Sequence, residues 1–86
     1  MKIDATKGFL KAYARLSARQ RLQVDSALVA FQANRTDPSL RDHPLKGHKN
    51  RLRALSAGWD LRVVYREEGG FVIVVLIDVG THNQVY

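Results

Sequence analysis

The sequence has no cysteine. A disulfide scaffold, a thiol nucleophile and every cysteine-containing zinc site are therefore excluded. It has no long apolar run either: the longest, residues 71–77, spans seven residues, whereas a membrane-spanning helix needs about 20. Asp4, Lys7 and Lys11 interrupt any apolar stretch of the kind a signal peptide requires, so a cytoplasmic protein with no membrane partner is expected. No G-x-x-x-x-G-K-[ST] run occurs, and Gly69-Gly70 opens no helix, which removes the phosphate-loop signature. The eight acidic residues, at 4, 25, 37, 42, 60, 67, 68 and 78, are scattered and form no carboxylate cluster for magnesium. A two-metal nuclease is disfavoured on that ground. The serines at 17, 26, 39 and 56 lie outside any nucleophile elbow. The three histidines lack the close pair spacing of a zinc site. Neither a metal nor a small-molecule cofactor is expected.

What is present is charge of one sign. Fourteen Lys plus Arg against eight Asp plus Glu give a net charge of +6 on 86 residues, and the pI is near 10.2. Nine of the cations are Arg, whose planar fork suits phosphate better than a Lys ammonium does. Nucleic acid, an anionic surface or an acidic protein is the natural partner of such a chain. The length fits one domain, residues 1–86, and the 45% apolar content is that of a globular chain. A domain this short buries only about 60–65% of its unfolded surface, so it is expected to be marginal alone or to lean on a partner.

The chain changes period halfway. Phe9, Leu10, Tyr13 and Leu16 mark one face of a short helix. Ser17 with Gln20 forms a capping-box pattern, and Leu22, Val24, Ala27, Leu28 and Phe31 give the stripe of a second helix. Asn34 is expected to end that helix in a left-handed conformation, with Pro38 forbidding its continuation. Residues 34–50 read as a polar loop. From Leu52 the period becomes two: a strand ending near Gly58, a second over residues 59–65, a turn at 67–70 and a central strand over 71–79, apolar on both faces. Residues 1–5 are a candidate first strand. The expected class is α+β, a helical hairpin packed on a small antiparallel sheet in the order (β)ααβββ.

Three stretches carry a resemblance. Asp42-His43-Pro44-Leu45-Lys46-Gly47, then Trp59-Asp60-Leu61-Arg62-Val63-Val64-Tyr65, then Val79-Gly80-Thr81-His82-Asn83-Gln84-Val85-Tyr86 resemble the RelE/ParE superfamily of toxin–antitoxin toxins, with the YafQ-type mRNA interferases as the most similar branch. The likeness covers residues 42–86; residues 1–41 agree only in their helical architecture. The resemblance implies ribosome-dependent mRNA cleavage, with the ribosome, mRNA and a cognate antitoxin as partners. It points to His43, His82 and Tyr86 as site residues, with Asp60 as an acidic member and Trp59 one residue away in the alignment. Where the YafQ-type branch has a second histidine, this chain has Ser56. Arg51, Arg53 and Arg62, with Lys46 and Lys49 of the loop, are the candidate phosphate-binding cations.

The residue chemistry is compatible with that activity. RNA is cut without metal when its 2′-hydroxyl attacks the adjacent phosphate, which needs a base, an acid and cations on the phosphorane. His43 and His82 are candidates for the acid–base pair, in either order. Tyr86 is a candidate for base stacking or proton transfer. Two other readings are a ParE-like toxin that binds DNA gyrase without chemistry, and a catalytically silent binding module of the same fold.

Overall fold

The computed structural model describes residues 1–47 and 51–86. His48 and Lys49, the latter a candidate cation, lie outside the described residues. Strand β1 (Lys2–Ala5) leads into helix α1 (Lys7–Ala14), where the Thr6 hydroxyl accepts the Phe9 N–H at 3.1 Å. Helix α2 (Ala18–Ala33) starts at the expected capping box. Ser17 Oγ accepts the Gln20 N–H at 3.1 Å, and Gln20 Oε1 accepts the Ser17 N–H at 2.9 Å, satisfying two of the otherwise unpaired first-turn donors. The Tyr13 hydroxyl donates to Asp25 Oδ1 at 2.7 Å and ties the two helices together. Asn34 ends α2 in an extended conformation, φ −154°, rather than the left-handed one expected.

Beyond a 3₁₀ turn (Pro38–Leu40), the sheet is completed by β2 (His43–Pro44), β3 (Arg53–Ser56), β4 (Leu61–Glu68) and β5 (Ile73–Thr81), and a one-turn helix α3 (His82–Val85) follows. The strand order is β1-β5-β4-β3-β2. β1 runs parallel to β5, while the other pairs are antiparallel. The sheet is thus mixed rather than purely antiparallel. Both helices intervene between β1 and its partner, and that crossover permits a parallel pair. As its composition indicated, β5 is an inner strand.

Phe71 and Val72 belong to the β4–β5 turn and not to the strand, which starts two residues later than expected. Gly69, Gly70 and Phe71 adopt φ of 62°, 65° and 70°, a left-handed run that extended pairing cannot accommodate. The Phe71 N–H is held by Glu67 Oε2 at 2.9 Å, and the Arg35 guanidinium lies 3.9 Å from its ring centre. Likewise Trp59 and Asp60 fall in the β3–β4 turn, so that strand begins at Leu61.

The core lies between the helices and one sheet face. Phe9, Val24, Ala27 and Phe31 pack against Leu55, Leu61, Val63, Tyr65, Val74, Leu76 and Val79. Among the described residues, no long helix lies on the second face. Register places His43, Ala54 and Val64 in one row across it and Ser56, Arg62 and Gly80 in the next. Among the described residues no helix is long and apolar enough to cross a membrane.

Candidate active site

The second face has a floor of small side chains, Ala54, Ser56 and Gly80, and α3 folds back over it. A Cβ at Gly80 would lie 2.7 Å from Gln84 Oε1 and 3.3 Å from a Val85 methyl, so the close approach of α3 depends on that glycine. Gln84 Oε1 accepts the Thr81 N–H at 2.8 Å, the Asp60 carbonyl accepts the His82 N–H at 3.2 Å, and Val85 is buried. The one-turn helix is therefore clamped at its start and along its inner face. It delivers Tyr86 to His43, 43 residues away in sequence, with the hydroxyl 3.3 Å from His43 Nε2.

Three of the expected site residues meet here. The Tyr86 ring stands edge-on to His82 at 4.5 Å between centres, and to His43 at 6.2 Å. His43 Nδ1 lies 2.9 Å from the Arg41 carbonyl. A carbonyl only accepts, so Nδ1 carries a proton, and in the uncharged tautomer it is Nε2 that holds the lone pair. In that tautomer the Tyr86 hydroxyl donates to Nε2. Burial raises the Tyr86 pKa, and the facing Arg62 guanidinium opposes the rise without cancelling it, so the phenol keeps its proton. The arrangement is two imidazoles, a protonated phenol between them and a guanidinium alongside.

The remaining candidates are divided by strand alternation. Arg62 and Ser56 face each other on the α3 side of the sheet. Ser56 is buried on this floor beside Arg62. Arg53 pairs with Tyr65 on the opposite, helix-covered face, so it and Arg62 point away from one another. Its Nε reaches Asp42 Oδ1 at 3.2 Å and Tyr65 Oη at 3.2 Å, which fixes the guanidinium away from the histidines. Asp60 touches the cluster through its carbonyl, and its carboxylate is in the exposed turn. Lys46 and Arg51 are exposed outside the cluster.

Sequence reasoning gave Asp42 and Tyr65 no role. The Tyr65 hydroxyl lies 2.8 and 2.7 Å from the two Asp42 oxygens, and Tyr65 is fully buried. With Arg53 these groups pin the backbone on the N-terminal side of His43 to the sheet. The available signal was Asp42 itself, an acidic residue directly preceding the histidine in a basic loop.

No protein-family model matches the chain, and no curated protein matches it by sequence. Solved structures do. YafQ from E. coli superposes with a TM-score of 0.79 at 16% identity, over 99% of this chain and 97% of that one. A YoeB/ParE toxin from Agrobacterium tumefaciens gives 0.77 at 21%, over 95% and 99%. The E. coli DinJ–YafQ toxin–antitoxin complex gives 0.74 at 20%, over 99% and 96%. From β1 through α3, the chain has the RelE/ParE-type toxin fold.

Proposed function

We propose that this protein is the toxin of a type II toxin–antitoxin pair, a metal-independent endoribonuclease that cuts mRNA on the ribosome and so inhibits translation in the cytoplasm. The observation that carries the reading is the His43–Tyr86–His82 cluster beside Arg62 on the sheet face left free by α1 and α2. His43 Nε2 takes the proton of the 2′-hydroxyl as its oxygen attacks the adjacent phosphorus. The bond to the 5′-oxygen breaks, and that oxygen takes a proton from His82. The products are a 2′,3′-cyclic phosphate and a 5′-hydroxyl. Arg62 stabilises the charge on the phosphorane, and Tyr86 orients both imidazoles. Arg53 is assigned to holding the fold. The antitoxin partner is supported by the DinJ–YafQ complex of the same fold and by the net charge of +6.

Induced expression is expected to arrest growth, and primer extension on a reporter mRNA to show new 5′ ends that require ribosomes. Co-expression of the neighbouring gene's product is expected to reverse both. Growth arrest without cleavage would favour gyrase binding, and neither effect would favour the silent module; each result overturns the reading.

Binding to RNA is expected to weaken steeply with salt. Neutralising three to five phosphates on a single strand gives a log–log slope of roughly −2 to −3.5. A flat response, measured by anisotropy of a labelled oligonucleotide, would count against phosphate recognition.

A further inference from the structure

We propose that Trp59 is a stacking platform for an unpaired RNA base next to the scissile phosphate; this rests on the RNA-cleaving reading above. The indole is 93% exposed, although it occupies a turn that is firmly held. The Ala57 N–H bonds to the Leu61 carbonyl at 2.8 Å, and the Asp60 carbonyl accepts the His82 N–H at 3.2 Å. On the other side Gly58, with φ 126°, sits so close to α2 that a Cβ would lie 3.2 Å from the Gln23 amide. The base of the turn is packed, and its one large side chain projects from it. A large aromatic is ordinarily drawn into the core or its rim. Here it stands one residue from the group that hydrogen-bonds His82.

The charge around the turn selects the occupant. Arg62 and His82 belong to the cluster on one side. On the other, Arg19 and Leu22 line a shallow groove with Gly58. A nucleotide presents a flat π-face with an anionic phosphate attached: the exposed indole suits the face, and Arg19 and Arg62 outnumber the single carboxylate of Asp60 beside it. Stacking is indifferent to base identity, so Trp59 would fix the position of the strand rather than read its sequence. It would hold the nucleotide beside the cut while His43 and His82 act on the phosphate.

Trp59 is the only tryptophan in the chain, so its emission reports on this site alone. The probe is a fluorescently labelled single-stranded 2′-O-methyl oligoribonucleotide, whose blocked hydroxyl lets wild type bind without cutting. Tryptophan quenching is expected to track the anisotropy isotherm. Trp59→Ala is expected to weaken binding about 5–100-fold, the range of one lost base stack, while Trp59→Phe keeps most of the affinity. An unchanged circular dichroism spectrum is expected for both variants. Binding without quenching, or with Trp59→Ala equal to wild type, would overturn the platform and leave RNA cleavage standing. No binding by wild type at low salt would overturn both. Quenching by the antitoxin but not by the oligonucleotide would make Trp59 a protein contact and also overturn the platform.

Discussion

Replacing His82 by alanine is expected to lower the mRNA cleavage rate by about 10²–10⁴-fold, the usual contribution of one general acid or base. Induction of the variant should then leave growth nearly normal. The side chain is exposed on the first turn of α3, so its truncation removes no core volume. The contact most affected is the edge-on packing against Tyr86 at 4.5 Å. A loss of activity with an unchanged urea midpoint therefore separates chemistry from folding. His43→Ala should act similarly but removes two contacts, the bond to the Arg41 carbonyl and the one to Tyr86. If both imidazoles transfer protons, the wild-type pH–rate profile is bell-shaped and each variant loses one limb. His48→Ala is the control, since His48 has no counterpart in the motifs that carry the resemblance. Variants at 43 and 82 that cut the reporter mRNA like wild type would remove the histidine mechanism, whatever the fold.

How much of this was legible in the sequence depended on how local each feature is. The capping box at Ser17 and Gln20 is satisfied within one turn, so four residues sufficed to place the start of α2. The apolar residues of β5 pointed to a central strand covered on both faces; it is an inner strand, but Ile73, Val75 and Ile77 are only partly buried, because neither α1 nor α2 covers the second face. The strand ends were not legible. Phe71 belongs by composition with the strand after it, yet Glu67, Arg35 and two glycines bend it into the turn. α3 has only four residues, less than a period can register, and β2 has two. The contact between His43 and Tyr86 has no local signal and was reached only through the resemblance. The opposite placement of Arg53 and Arg62 needed the β3–β4 register, which the length of the turn at 57–60 decides.

The largest expected loss of stability comes from the group that seats the His43 loop. Asp42→Ala is expected to cost about 2–4 kcal/mol, because it strips the partly buried Arg53 guanidinium and the buried Tyr65 hydroxyl of their shared acceptor. A domain of this size holds only about 4–13 kcal/mol in all, so the change should appear as a large drop in the urea midpoint. Activity should fall as well, although both histidines remain, because the backbone at Arg41 and Asp42 sets the direction of the His43 ring. Tyr65→Phe isolates the hydroxyl and adds a signature in pH. Burial, then the bond to Asp42, raise the Tyr65 pKa well above the ordinary tyrosine value. Below about pH 10 the residue is neutral whether the chain is folded or not, and its contribution to stability is intact. Above that pH the unfolded chain releases the phenolic proton while the folded chain retains it. Stability therefore falls as pH rises from about 10 towards the folded-state pKa. Tyr13, through its bond to Asp25, and Tyr86, through burial, shift in the same direction, but neither is as deeply buried as Tyr65. Tyr65→Phe should thus be less stable than wild type at pH 7 and lose less between pH 9 and 11, as read from urea midpoints. Parallel declines in the two proteins would show that Tyr65 does not hold its proton in the folded state and that the Asp42 anchor is not formed as described.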